Sequence, residues 1–185
     1  MKIFQRQYLL FALMSVSAIT TISCKSGSGP GDEKKKIVSS FLAAHAAFSN
    51  TNKAQDEFFN RYFKEVELIE WDSSKLVNTQ QLDSLLVEAR QANERRKTLV
   101  NETKYVQDSA ILFHDKANEF INILDSAYRN EFPQAIKILE SRSADRYSRI
   151  QQLMYKPLDK IKKAQSYYQL ATESMTQKYH VLQSN

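Results

Sequence analysis

Few residues in this chain have the types and spacing that site chemistry demands. A di-iron helical bundle needs inward-facing carboxylates with Glu-x-x-His motifs, yet the residues three before His45, His114 and His180 are Leu42, Ile111 and Gln177. Cys24 is the single cysteine, so an internal disulfide and the Cys-rich motifs for zinc, iron–sulfur or haem attachment are ruled out. No metal, cofactor or catalytic set is expected. His45 falls on an apolar face at helical spacing and reads as a core histidine. Gly27, Gly29 and Gly31 are the only glycines, and none occurs from Asp32 to Asn185. That gap excludes a Gly-x-Ser-x-Gly nucleophile elbow and phosphate-cradling loops, and it disfavours tight hairpins. The acids Asp56, Glu57, Glu65, Glu67, Glu70 and Asp72 alternate around a helix surface and read as a solvated acidic end, without the apolar setting that general acid work requires.

One polar set is patterned. Arg142, Arg146, Arg149, Lys156, Lys160 and Lys163 recur at three-, four- and seven-residue steps and so share one slowly drifting helix face. Two readings fit this basic stripe: a water-facing flank paired loosely with acids of the first helix, or a strip that binds an anionic surface or an acidic protein. With 26 Lys+Arg against 21 Asp+Glu among 185 residues, the net charge of +5 is too mild to point to nucleic acid. Tyr147, Tyr155, Tyr167, Tyr168 and Tyr179 crowd the same segment, and any left exposed would offer a partner surface.

The elements that position these residues are helices. Residues 32–185 form one all-α domain in which apolar residues recur at steps of three and four. The first seam runs through Ile37, Phe41, His45, Phe48, Asn52, Gln55, Phe59, Tyr62, Val66 and Ile69, and Ser49-Asn50-Thr51-Asn52 in its middle predicts a kink or short break. After a polar turn near Trp71–Asn78, a second seam from Leu82 to Ala127 keeps its phase throughout, with Arg96 and Thr103 as its polar members. That continuity predicts a single helix over 79–129. Asn130 to Pro133 supplies the next stop and start. A last helix follows, with weak points at 141–145 and at Pro157. The expected architecture is an elongated antiparallel bundle of three long helices; a four-helix bundle is the alternative should the chain reverse near residue 107.

The first residues belong to a different class of segment. Lys2 and Arg6 precede an apolar run of about 15 residues, Tyr8 to Ile22, too short and too interrupted by serine and threonine for a bilayer-spanning helix. The run closes on Thr21-Ile22-Ser23-Cys24, which resembles the lipobox of bacterial lipoproteins. Together with an all-helical remainder, it is similar to the small helical surface lipoproteins of Bacteroidota and spirochaetes; no motif of a family carries over to residues 32–185. The resemblance implies that residues 1–23 are a signal peptide, that Cys24 is acylated and holds the protein to the membrane, and that residues 24–31 are a flexible tether. Losing residues 1–23 leaves 24 basic against 21 acidic residues. Seven tether residues reach at most ~25 Å.

The resemblance implies a non-enzymatic envelope lipoprotein, expected at the outer membrane, on its periplasmic or surface face, that acts as a binding or spacer module. A carrier of an apolar ligand in an interhelical cleft is the first alternative, and an enzyme the second. The partners expected are the membrane, through lipid on Cys24, and an anionic envelope component or protein at the basic stripe.

Overall fold

The computed structural model describes residues 30–103 and 108–181. These form five helices: α1 (Pro30–Trp71), α2 (Thr79–Asn101), α3 (Asp108–Arg129), α4 (Glu131–Glu140) and α5 (Arg146–Tyr179). No strand occurs among the described residues. α1 starts two residues before the expected Asp32, on Pro30, a residue whose fixed φ and missing N–H suit a first helical turn.

Side-chain contacts give the topology. Arg96 of α2 reaches Thr51 and Gln55 of α1, so α2 runs back along α1. Aromatic pairs Phe41–Phe113, Phe48–Phe120 and Phe58–Tyr128 advance together along both chains, so α3 climbs parallel to α1. α4 continues that direction, bringing Phe132 against Phe58 and Tyr62. α5 then descends and stacks Tyr168 on Phe48, with ring centroids 4.2 Å apart. The result is an up-down-up-down bundle whose third rod is built from α3 and α4 together.

The all-α expectation holds, but the leading three-helix layout does not. The expected helix over 79–129 is divided into α2 and α3, and residues 104–107, including seam residue Val106, lie outside the described residues. α2 ends where Thr103 turns its hydroxyl onto the Val100 carbonyl at 2.6 Å, closing the last turn locally. An in-phase seam is compatible with a reversal because each half still presents its own apolar stripe to the core. The last expected helix is also divided, at the anticipated 141–145, whereas Pro157 stays inside α5. Pro133 is the third residue of α4, among the first four whose N–H groups have no intrahelical partner in any helix.

The weak centre of α1 stays helical without a break. Ser49 and Thr51 bond back to the carbonyls of His45 and Ala47, and Asn52, Gln55 and Thr51 accept hydrogen bonds from Arg96. Polar residues that disfavour a helix in isolation are thus held in it by a tertiary partner. The rest of the interior is apolar and strongly aromatic. Phe41, Phe58, Phe59, Tyr62, Phe113, Phe120, Tyr128 and Phe132 are all buried, and most of their pairs meet edge-on or offset, the geometry aromatic rings prefer. Leu99, expected on the second seam, is 44% exposed, because Val100 takes the inward position at the end of α2.

Candidate functional site

The basic stripe is divided between two fates. Arg146 leaves it: this side chain is 2% exposed and lies at the pole where α4 ends and α5 begins. Its Nη1 donates to the carbonyls of Leu139 (2.9 Å) and Ser141 (3.0 Å), and its Nη2 donates to the carbonyl of Lys75 in the α1–α2 turn. The end of α4 leaves carbonyls that no helical N–H can reach, and a guanidinium with several donors satisfies two chain segments at once. Arg146 is therefore a cap and clamp, and the expectation that it belongs to a solvent-facing strip is corrected on that ground.

The other stripe members are exposed. Arg149 lies 3.9 Å from Asp145, the residue that precedes α5, and Lys163 lies 2.8 Å from Asp159 one turn earlier in α5. Arg142 stands beyond α4 at the surface. Lys156 and Lys160 line a groove of about 670 Å³ between α5 and the α3–α4 rod. Its floor includes Ile123, Leu153 and Pro157, and its opposite rim carries Glu119 and Glu131. The acids across the groove from Lys156 and Lys160 thus come from α3 and α4, and Arg149 and Lys163 pair with neighbouring Asp145 and Asp159, rather than with the acids of α1 that the sequence suggested. Tyr168 and Tyr179 are buried, whereas Tyr155 and Tyr167 are more than half exposed.

A second polar cluster sits inside the bundle. Arg96, 1% exposed, donates from Nε to Thr51 Oγ1 (2.9 Å), from Nη1 to Gln55 Oε1 (3.0 Å) and from Nη2 to Asn52 Oδ1 (3.2 Å). The Phe48 ring covers its face at 4.5 Å. One turn earlier on α2, Asn93 donates to the Ile121 carbonyl at 3.0 Å and so links α2 to α3. Asn52, Gln55 and Arg96 were visible as the polar members of two apolar seams; Thr51 gave no such signal. The guanidinium is closed to solutes on every side described, so this cluster builds the bundle and offers no open site.

The acids of α1 depart from a uniformly solvated row. Glu65 is 5% exposed and pairs with Arg61 one turn earlier. Asp56 is half-buried, and burial raises its carboxyl above the ordinary range while Arg96 pulls it back down. Tyr147 accepts a hydrogen bond from Gln151 at 2.9 Å, and burial together with the Glu70 carboxylate raises the phenol well above its usual value. His45 is partly buried and stacked near Phe41, and burial lowers its pKa from the ordinary 6.5. The ring faces the interior from the seam, but its Nδ1 has no hydrogen-bond partner, unlike the hydrogen-bonded core histidine its position suggested.

Cys24, the signal-like segment and residues 25–29 of the expected tether lie outside the described residues. Among the described residues, no helix is long and apolar enough to cross a membrane, and no group of three His, Cys, Asp or Glu side chains is arranged to hold a metal ion. No protein-family model, curated protein sequence or solved structure matches the chain.

Proposed function

We propose that this protein is a non-enzymatic lipoprotein of the bacterial envelope, held by lipid on Cys24 and acting as a spacer and binding module. The observation that carries the reading is the apolar run ending in Ser23-Cys24, followed by a Gly/Ser-rich stretch that leads into α1. α1 has 42 residues, and at ~1.5 Å per residue it rises ~63 Å. A rod of that length holds its α1–α2 turn well away from whatever its amino end is attached to. The buried aromatic ladder and the clamps at Arg96 and Arg146 support a stiff body, which is what a spacer needs. Lys25 after the cysteine does not resemble the inner-membrane retention signal of enterobacteria, which favours the outer membrane.

Mass spectrometry of the native amino terminus tests this reading. The expected result is a chain beginning at acylated Cys24, together with loss of membrane association in Cys24→Ala. An unmodified terminus, or one starting elsewhere, would overturn the anchor and leave an exported protein without it. Protease shaving of intact cells then separates a surface face from a periplasmic one.

A further inference from the structure

Charges of opposite sign stand on the two rims of the α5 groove without meeting. Lys156 and Lys160 line the α5 rim, and Glu119 and Glu131 line the α3–α4 rim. Glu119 is engaged by Lys116 of its own helix, and no ion pair among the described residues bridges the two rims. Between the rims the floor is apolar, and Pro157 has no N–H to offer the Leu153 carbonyl one turn earlier. The same face continues past the groove: Lys116 lies 5.3 Å from the ring of Tyr167, itself 51% exposed. Leu112, seven residues before Glu119 and therefore on the same side of α3, is also 51% exposed.

A surface with one basic rim, one acidic rim and an apolar strip between them is complementary to itself. We propose that this face docks against the same face of a second copy, in a two-fold dimer whose axis runs parallel to the rods. That axis sets α5 of one copy opposite the α3–α4 rod of the other, so lysines meet glutamates twice. A two-fold across the rods would set α5 on α5 and bring lysine to lysine, which like-charge repulsion disfavours. The size fits as well. From Leu112 to Gln134 the face rises ~33 Å, and two helices are ~20 Å wide, giving roughly 700 Å². A standard interface buries about 800 Å² per partner. The parallel arrangement also puts both amino ends at one pole, as two chains anchored in one membrane leaflet require. That clause alone rests on the lipoprotein reading; the charge pattern stands without it.

Sedimentation of the full chain in mild detergent tests the dimer. The wild-type protein should sediment as two chains at ~10 µM. The reversals K156E/K160E and E119K/E131K should each weaken association at least ~10-fold, since each sets like charges face to face. Mixing the two variants should restore the two-chain species, because the reversed acidic rim of one then meets the reversed basic rim of the other. Unfolded variants would not recover on mixing, and the milder pair K156Q/K160Q reports the same loss should a reversal fail to fold. A wild-type monomer, a dimer indifferent to both reversals, or failure of the mixture to reassociate with helical signal intact would each overturn the proposal; the last result would assign the lysines to a separate anionic ligand. Loss of the lipid reading would show instead in the mass of the amino terminus, with association unchanged.

Discussion

Arg146 and Arg149 stand one helical turn apart at the start of α5, yet they belong to different parts of the molecule. Arg146 is buried and joins the end of α4 to the α1–α2 turn through three backbone carbonyls. Arg149 is exposed, about 3.9 Å from a single carboxylate, that of Asp145 just before the helix. Residue type and spacing are the same for both. What differs is the surrounding chain: at the pole, a helix end and a turn expose orphan carbonyls, whereas the α5 flank meets only water and side chains. A cation becomes structural where backbone acceptors have no other donor. Arg96 repeats the lesson in mid-bundle, where polar side chains of α1 replace the carbonyls.

Breaking the interior should cost most where packing is densest. Phe113→Ala and Phe120→Ala, both in the aromatic ladder, are each expected to lose about 3–5 kcal/mol in denaturant unfolding. Losses below about 1 kcal/mol would mean that α3 is not packed against α1 as described. Arg96→Ala should follow at about 3 kcal/mol, because it leaves buried oxygens of Thr51 and Gln55 without their donor. Arg96→Lys retains the charge but not the three-pronged fork, so its unfolding free energy should fall between wild type and Arg96→Ala.

A smaller effect is expected from His45. Its folded pKa lies below 6.5 because burial disfavours the imidazolium. The unfolded chain therefore binds the proton more readily, and the contribution of His45 to stability is present above the unfolded pKa and lost as pH falls below it. The melting temperature should drop between pH 7.5 and 5.5, and His45→Gln should flatten that part of the curve. An unchanged slope would place the pH dependence elsewhere.

Much of the fold was legible because the apolar seams are regular. Ile37, Phe41, Phe59, Tyr62, Leu82, Phe113, Leu124, Ile161 and Met175 are all buried where the three- and four-residue steps put them. The reversal after α2 was not legible in the same way, since a seam can keep its phase across a turn and Thr103 closes the helix with a local side-chain bond. The continuity of α1 was hidden for the opposite reason. Ser49 to Asn52 carry weak helix propensity, and what overrides it comes from Arg96, 45 residues beyond Thr51. At the basic stripe, periodicity located the face but could not reveal that Arg146 turns toward orphan carbonyls. The opposing rim depends on the direction of α3, so Glu119 and Glu131 gave no signal in the linear sequence.

The division between clamping and free cations is tested most directly by chemical denaturation of two variants one turn apart, Arg146→Ala and Arg149→Ala, at neutral pH. Removing Arg146 strands the carbonyls of Leu139, Ser141 and Lys75 and is expected to cost about 2 kcal/mol. Removing Arg149 should stay within about 0.5 kcal/mol of wild type. Equal losses, or the greater loss at Arg149, would contradict the placement of Arg146 as the clamp between the α1–α2 turn and the end of α4.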